Sequence, residues 1–243
     1  MGLEIGVICA TAEERDALDH TFGLARGAAD GPFGVVEGRA GPHRLHVAQG
    51  GIGKAAAAGL TAHLLSRPAS LDLVVFCGVA GGMSPDLQPG DLVIGRETAT
   101  HDYGAFRDGR LDWFPAGAIP IGPAPAPHYR AATETTPALE RTIARLSAAP
   151  DAPRIMLGRI ISGDLFLNCR VRRDELHAAW GADAIDMESA AVADMAARFG
   201  KPILILRTIS DRACEESHLT YAQVADAAAR NSAAFLQAYL QEA

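Results

Sequence analysis

Along the chain, short and nearly unbroken apolar runs alternate with longer segments whose apolar positions recur at helical spacing. The run LEIGVICA gives way to TAEERDALDHTF, and RLHVAQG to KAAAAGLTAHLL. LDLVVFCGVAGG, DLVIGRETAT, a middle dotted with prolines, and PRIMLGRIISGD follow. The C-terminal part reads as a helix within ADAIDMESAAVADMAARFG, a strand PILILRTIS, and a last helix over roughly residues 217–241. Runs of Val, Ile and Leu alternating with helices predict an α/β fold, a central and mostly parallel sheet flanked by helices on both faces. A glycine turn at residues 39–42 closes an early hairpin, which makes the sheet mixed. Residues 115–127 carry too many prolines for regular structure and are expected to form a loop over a site or an interface. No linker or low-complexity tract divides residues 1–243, so one domain is expected.

In sheets of this kind, ligands bind beyond the carboxyl ends of the strands. Those ends read ICATAEE, QGGIGK, CGVAGG, SGDLF, DMES and SDR, and four of the six carry a carboxylate. Composition narrows the partners. Hydrophobic residues make up 49% and aromatic ones 6%, so the core is aliphatic. A formal charge of −7 argues against nucleic acid. No apolar run approaches the ~18 residues of a membrane span. MGLEIGVICA is short and carries an acid, which suits a first strand and not a signal peptide. Cys9, Cys77, Cys169 and Cys214 are isolated, as expected for reduced cytoplasmic thiols with no zinc site.

Each candidate motif has a plain structural alternative. GGIGKAAAA satisfies GxGxxA, but the following strand has its only acid, Asp72, at the wrong end to hold a ribose. The phosphate-loop pattern fails too, because Ala48 lies five positions before Gly53 and an alanine follows Lys54. What remains is a glycine turn that lets a small ligand approach the backbone, or that merely turns tightly. Glu14 completes the capping box Thr11-x-x-Glu14 and need have no other task. Asp186 and Glu188 flank Met187 at the expected start of a helix apolar all round; they suit the helix dipole, or a sheltered position that needs a partner such as a ligand hydroxyl. Asp211 closes an apolar strand, where it could cap a helix or pair with Arg207 or Arg212. No serine elbow, HExxH or Cys–His signature is present. Carboxylates around a glycine-rich pocket can nevertheless break a glycosidic bond, one protonating the leaving group and another activating water.

The segments IGVICATAEE, GGIGKAAAA, CGVAGGMSPDLQPGDLVI, IISGDLFLN, AIDMESAAVA, ILRTISDRA and ESHLTYAQ, in this order, resemble the nucleoside phosphorylase superfamily. Within it they are most similar to the 5′-methylthioadenosine/S-adenosylhomocysteine nucleosidases. The resemblance implies a nucleoside phosphorylase-like α/β domain, a cytoplasmic homodimer, no metal or other cofactor, and hydrolysis of the bond between a purine and a 5′-substituted ribose. Carried over by position, Asp211 protonates the leaving adenine and Ser210 orients it. Glu14 holds and deprotonates the water, with Arg207 nearby. Glu188 grips the ribose hydroxyls and Met187 packs on the sugar. Phe166 stacks on the base, the Leu167 backbone reads its edge, and Ile52 and Tyr221 line the 5′ pocket.

Three positions depart from the family pattern. Val79 replaces a serine that partners the water, Thr11 an apolar residue near the 5′ pocket, and Gly50 a small polar residue. Futalosine-type hydrolases share much of the pattern and are an alternative. Phosphorylases of the superfamily bind phosphate with arginines, one in a turn after the first strand. Here that turn is ATAEER, and Arg15, one residue along a helix, points about 100° from Glu14. Water as acceptor is the expectation. A nucleoside sensor on the same fold would need neither Glu14 nor Asp211.

Overall fold

The architecture follows from strands that are apolar on both faces. A computed structural model describes residues 2–24, 31–125 and 127–243. In chain order the first elements are β1 (Glu4–Cys9), α1 (Ala12–Phe22), β2 (Val36–Ala40), β3 (His43–Gln49), α2 (Lys54–Leu65), β4 (Leu73–Gly82) and β5 (Leu92–Thr100). The small strands β6 (Gly104–Arg107), β7 (Arg110–Trp113) and β8 (Arg130–Ala131) come next, then α3 (Pro137–Leu146), β9 (Ile155–Ser162) and α4 (Arg170–Trp180). The chain ends with β10 (Ala184–Asp186), α5 (Ser189–Arg198), β11 (Ile203–Asp211) and α6 (Ser217–Tyr239).

The main sheet runs β10-β9-β5-β11-β4-β1-β3-β2, and β8 pairs with β5. It is mixed: β3 is parallel to β1, β1 to β4 and β4 to β11, whereas β11 is antiparallel to β5. The glycine turn closes the antiparallel β2–β3 hairpin, as expected. A further antiparallel pairing, Ala184 and Ile185 with Gly82 and Gly81, joins β10 to β4. The strands β4, β11, β5, β9 and β10 therefore form a closed ring.

Alternate residues of one strand feed opposite layers. Val75 and Cys77 of β4 pack with Leu18 of α1, Leu139 of α3 and Leu236 of α6. Val74 and Phe76 pack with Leu60 of α2 and Val192 of α5. This double burial is why the strand reads as an unbroken apolar run.

One expectation needs correction. Asp186 does not start a helix: it ends β10, paired with Ser162 of β9, and α5 begins only at Ser189 after Glu188 as cap. The short strand is hidden in sequence because its residues continue smoothly into the apolar helix. The expected loop over residues 115–127 has no strand or helix among its described residues, and Ala126 lies outside them. Pro115 and Ala116 border a cavity of about 350 Å³ with Trp113, Trp180 and, from the start of α2, Lys54 and Ala55. Two helices were not expected: α3 lies in the proline-dotted middle, and α4 lies in the proline-free stretch after β9. The first has an N-cap, Thr136, whose hydroxyl accepts from Leu139 N at 3.2 Å, and a proline in its first turn.

Candidate active site

The carboxyl ends of β1, β4, β10 and β11 converge on a cavity of about 190 Å³. Its wall includes Thr11, Glu14, Ile52, Val79, Phe166, Met187, Glu188, Ser210, Asp211 and Tyr221. A smaller recess of about 40 Å³ adjoins it, where Leu167 meets Phe166, Met187 and Asp211. Arg207 lies fully buried under the floor. The eleven positions singled out from sequence thus come together at one place. The larger cavity of about 440 Å³ opens by Leu73 and Ile203, at the amino ends of β4 and β11, and shares no residue with this one.

Glu14 is the cap that the spacing predicts, and its carboxylate also borders the cavity. The capping box is formed: the Thr11 hydroxyl accepts from Glu14 N at 3.3 Å, and Glu14 Oε2 accepts from Thr11 N at 3.1 Å and Ala10 N at 2.7 Å. Its other oxygen accepts from Val79 N at 3.0 Å and lies 3.7 Å from Arg207 Nη1. The departure to valine therefore keeps the one contact that position makes with Glu14, since the donor is backbone. The neighbouring Gly78 is required sterically. A Cβ there would come within 2.2 Å of Glu14 Oε1 and 2.3 Å of Arg207 Nη1.

Glu188 is held by the glycine turn. Gly51 and Gly53 have φ of 92° and 99°, a region that favours glycine, and Gly53 N donates to Glu188 Oε1 at 2.8 Å. So the turn presents a backbone N–H to a carboxylate and not to a phosphate. Burial and the nearby Asp186 charge push the Glu188 carboxyl up to about 7, with Arg207 opposing. The adjacent Lys54 N donates to Asp164 at 2.9 Å, and its ammonium contacts Asp102 at 2.5 Å and Asp164 at 3.3 Å. This clip ties the start of α2 to the segment that carries Phe166.

Among the described residues Asp211 has no arginine partner, contrary to one sequence alternative. Arg212 donates to Pro85 O at 3.3 Å, and Arg207 faces Asp186, Glu188 and Glu14. Instead the Asp211 carboxylate accepts from Ser210 Oγ and from Ala213 N, both at 2.8 Å. A β-bulge between Ile209 and Asp211 interrupts the pairing with β4. In a regular strand consecutive side chains face opposite sides; the bulge lets Ser210 and Asp211 border the same cavity.

The mouth is aromatic and open. Phe166 is 52% exposed and meets Tyr221 edge to face at 6.1 Å, and Ile52 is 60% exposed. Burial, with Glu14 and Glu13 nearby, pushes the Tyr221 phenol up to about 12. Among the described residues no Lys or Arg lines the cavity. Arg15 is turned away and binds Asp19 at 2.7 Å. Among the described residues no cluster of His, Cys, Asp and Glu could hold a metal ion.

Sequence reasoning left one residue out of its candidate set. Asp186 accepts from Arg207 Nε at 2.9 Å and from the hydroxyls of Ser162, at 2.6 Å, and Ser189. The signal was the alternation DMES beside a buried arginine, which a helix reading obscures.

Comparison with known proteins agrees with this geometry. A curated 5′-methylthioadenosine/S-adenosylhomocysteine nucleosidase of Mycobacterium tuberculosis is 34% identical, with 97% of this chain and 96% of the relative covered. A mutant Helicobacter pylori nucleosidase of that name, solved with 5′-methylthioadenosine in the active site, is 27% identical and superimposes with a TM-score of 0.83 over all of both chains. The futalosine hydrolase of Helicobacter pylori is also 27% identical, at a TM-score of 0.82 over 99% of this chain and 98% of that one. The model of the phosphorylase superfamily matches residues 4–241. From the first strand to the last helix, the chain belongs to the phosphorylase superfamily and, within it, resembles the nucleosidases that take water.

Proposed function

We propose that this protein hydrolyses the N-glycosidic bond of a 5′-substituted adenine nucleoside of the 5′-methylthioadenosine and S-adenosylhomocysteine type. One observation carries the reading: two carboxylates from different strand ends, Glu14 and Asp211, border a single cavity with a third, Glu188, between sugar-sized walls. In the proposed step, the Asp211 carboxyl gives its proton to N7 of the base as the C1′–N9 bond breaks. A water oxygen bonds to C1′, and Glu14 takes the proton that water loses. Ser210 orients Asp211. Arg207 supports Glu14. Glu188 accepts from the ribose hydroxyls and Met187 packs on the sugar. Phe166 stacks on the base beside the Leu167 backbone, while Ile52, Val79 and Tyr221 border the 5′ substituent. The products are adenine and the free 5′-substituted ribose, and no cofactor is required.

The acceptor follows from charge. Phosphate in this cavity would meet Glu14, Glu188 and Asp211, with the lone guanidinium buried below the floor. Base release is therefore expected to be the same at zero and millimolar phosphate, with no ribose 1-phosphate formed. Turnover that collapses without phosphate would move the protein to the phosphorylases. Supplying methylthioadenosine, adenosylhomocysteine, adenosine, inosine and futalosine side by side, and following the free base, tests the substrate. The likeness to futalosine hydrolase supports a second reading, which fastest release from futalosine would favour.

The same reading includes a homodimer in the cytoplasm. Phe106, Ile119 and Ile121 are each more than 70% exposed, clustered on the β6–β7 hairpin and the proline-rich segment, as a surface awaiting a second copy would be. Free cysteines suit a reducing compartment. Among the described residues, no helix is long and apolar enough to cross a membrane.

A further inference from the structure

We infer that Asp186 is the positioning residue of this site: it fixes the Arg207 guanidinium between Glu14 and Glu188 and leaves those two carboxylates to the substrate and its water. The inference rests on the hydrolase reading for its kinetic readout only.

The distances assign the labour. Arg207 is fully buried with its guanidinium 3.6 Å from the centre of the Phe76 ring, so its plane is set from below by packing. Its shortest bond to a carboxylate is the 2.9 Å contact from Nε to Asp186. Glu188 and Glu14 lie farther off, at 3.5 and 3.7 Å. Among the described residues Nη1 has no acceptor within hydrogen-bond distance. A guanidinium tethered at Nε, with its two terminal nitrogens facing one carboxylate each, can stabilise both without gripping either.

Asp186 has no capacity left for a ligand. Its Oδ1 accepts from Ser162 Oγ at 2.6 Å and from Glu188 N and Ser189 N at 3.2 Å. Its Oδ2 accepts from Arg207 Nε and the Ser189 hydroxyl. Ser162 Oγ in turn accepts from Ala190 N at 2.9 Å. The residue borders the cavity, but its carboxylate is saturated by protein donors from β9, β11 and the start of α5. Glu188, two positions on, has one oxygen on Gly53 N and the other 3.5 Å from Arg207. Two acids in the same tripeptide thus do different work, because the strand end turns one inward and the helix cap turns the other toward the cavity.

The test compares wild type with Asp186→Asn and Ser162→Ala. Adenine release is measured across pH, and the Glu188 carboxyl is titrated by carbon-13 NMR, assigned with Glu188→Gln. The groups facing that carboxyl are Asp186 on β10, Arg207 on β11, Glu14 on α1 and Tyr221 on α6, with the Gly53 N–H before α2. Removing the Asp186 charge should move the Glu188 midpoint to lower pH, because a like charge is lost and Arg207 is freed to serve it. It should also lower kcat by about 100-fold, the scale of a misplaced catalytic group, with KM changing much less. Ser162→Ala, the gentler change, should lower kcat by about tenfold, the scale of one lost hydrogen bond. It decides the matter if the asparagine variant does not fold. An active wild type beside an Asp186→Asn protein with unaltered kcat and midpoint overturns the inference, as does Ser162→Ala with wild-type kcat. If wild type releases no base yet the Glu188 midpoint still moves in Asp186→Asn, the hydrolase reading fails and the positioning role stands.

Discussion

Asp211, the proposed general acid, is a carboxyl bordered by the Ser210 hydroxyl and the Ala213 N–H. Asp211→Asn keeps the shape and removes the acidic proton. General acid catalysis contributes ~10²–10⁴-fold, so kcat should fall at least about 100-fold while substrate still binds. A variant retaining more than about a tenth of wild-type kcat would sink the assignment. Gly78 tests Glu14 without touching it. A methyl there would overlap both Glu14 and Arg207, and overpacking of this kind costs about 1–3 kcal/mol. Gly78→Ala should therefore lower the melting temperature and reduce kcat together; activity within about twofold of wild type would show that the close approach is not needed. Glu188 has a pH signature of its own. Its carboxyl is raised from 4.5 to about 7, so between these values the folded chain holds a proton that the unfolded chain has released. Stability then falls as pH rises through that window and levels off above it. In Glu188→Gln this slope should be missing, so the melting-temperature gain of the variant over wild type should grow from pH 5 to pH 8.

At the scale of elements, the legible parts of the chain were those where one pattern had one cause. The doubly buried strands β1, β4 and β11 announced themselves because each face packs on its own helical layer. The capping box announced the start of α1 for the same reason, since Thr11 and Glu14 sit at fixed spacing. The site residues were legible mainly through resemblance; the residues alone left Glu14 open between cap and base, and the structure has it as the cap, with its second oxygen on Val79 N at the cavity. Illegible were the elements whose identity depends on a distant partner. Strand β10 is three residues long and exists because β9 and β4 flank it. The bulge in β11 is a matter of register with β4 and leaves no mark in ILRTISD. The role of Asp186 was hidden with β10, for its donors come from residues 162 and 207.

For the molecule as a whole, the exposed apolar side chains of the β6–β7 hairpin and the proline-rich segment predict self-association. Light scattering of wild type should give twice the chain mass, and replacing Phe106, Ile119 and Ile121 by polar residues should shift it to the single-chain mass. A wild type that stays monomeric at micromolar concentration would remove the dimer from the proposal. The closed ring of β4, β11, β5, β9 and β10 has a different consequence. Asp211 ends β11, Glu188 caps α5 two residues after β10, both strands pair with β4, and Glu14 is hydrogen-bonded to β4 itself through Val79 N. The groups proposed as acid, sugar-binding residue and base are in effect three marks on one rigid gauge. Heat that spoils this spacing must open the ladder, so thermal loss of activity should coincide with unfolding of the sheet, as activity and circular dichroism followed along one melting curve would show.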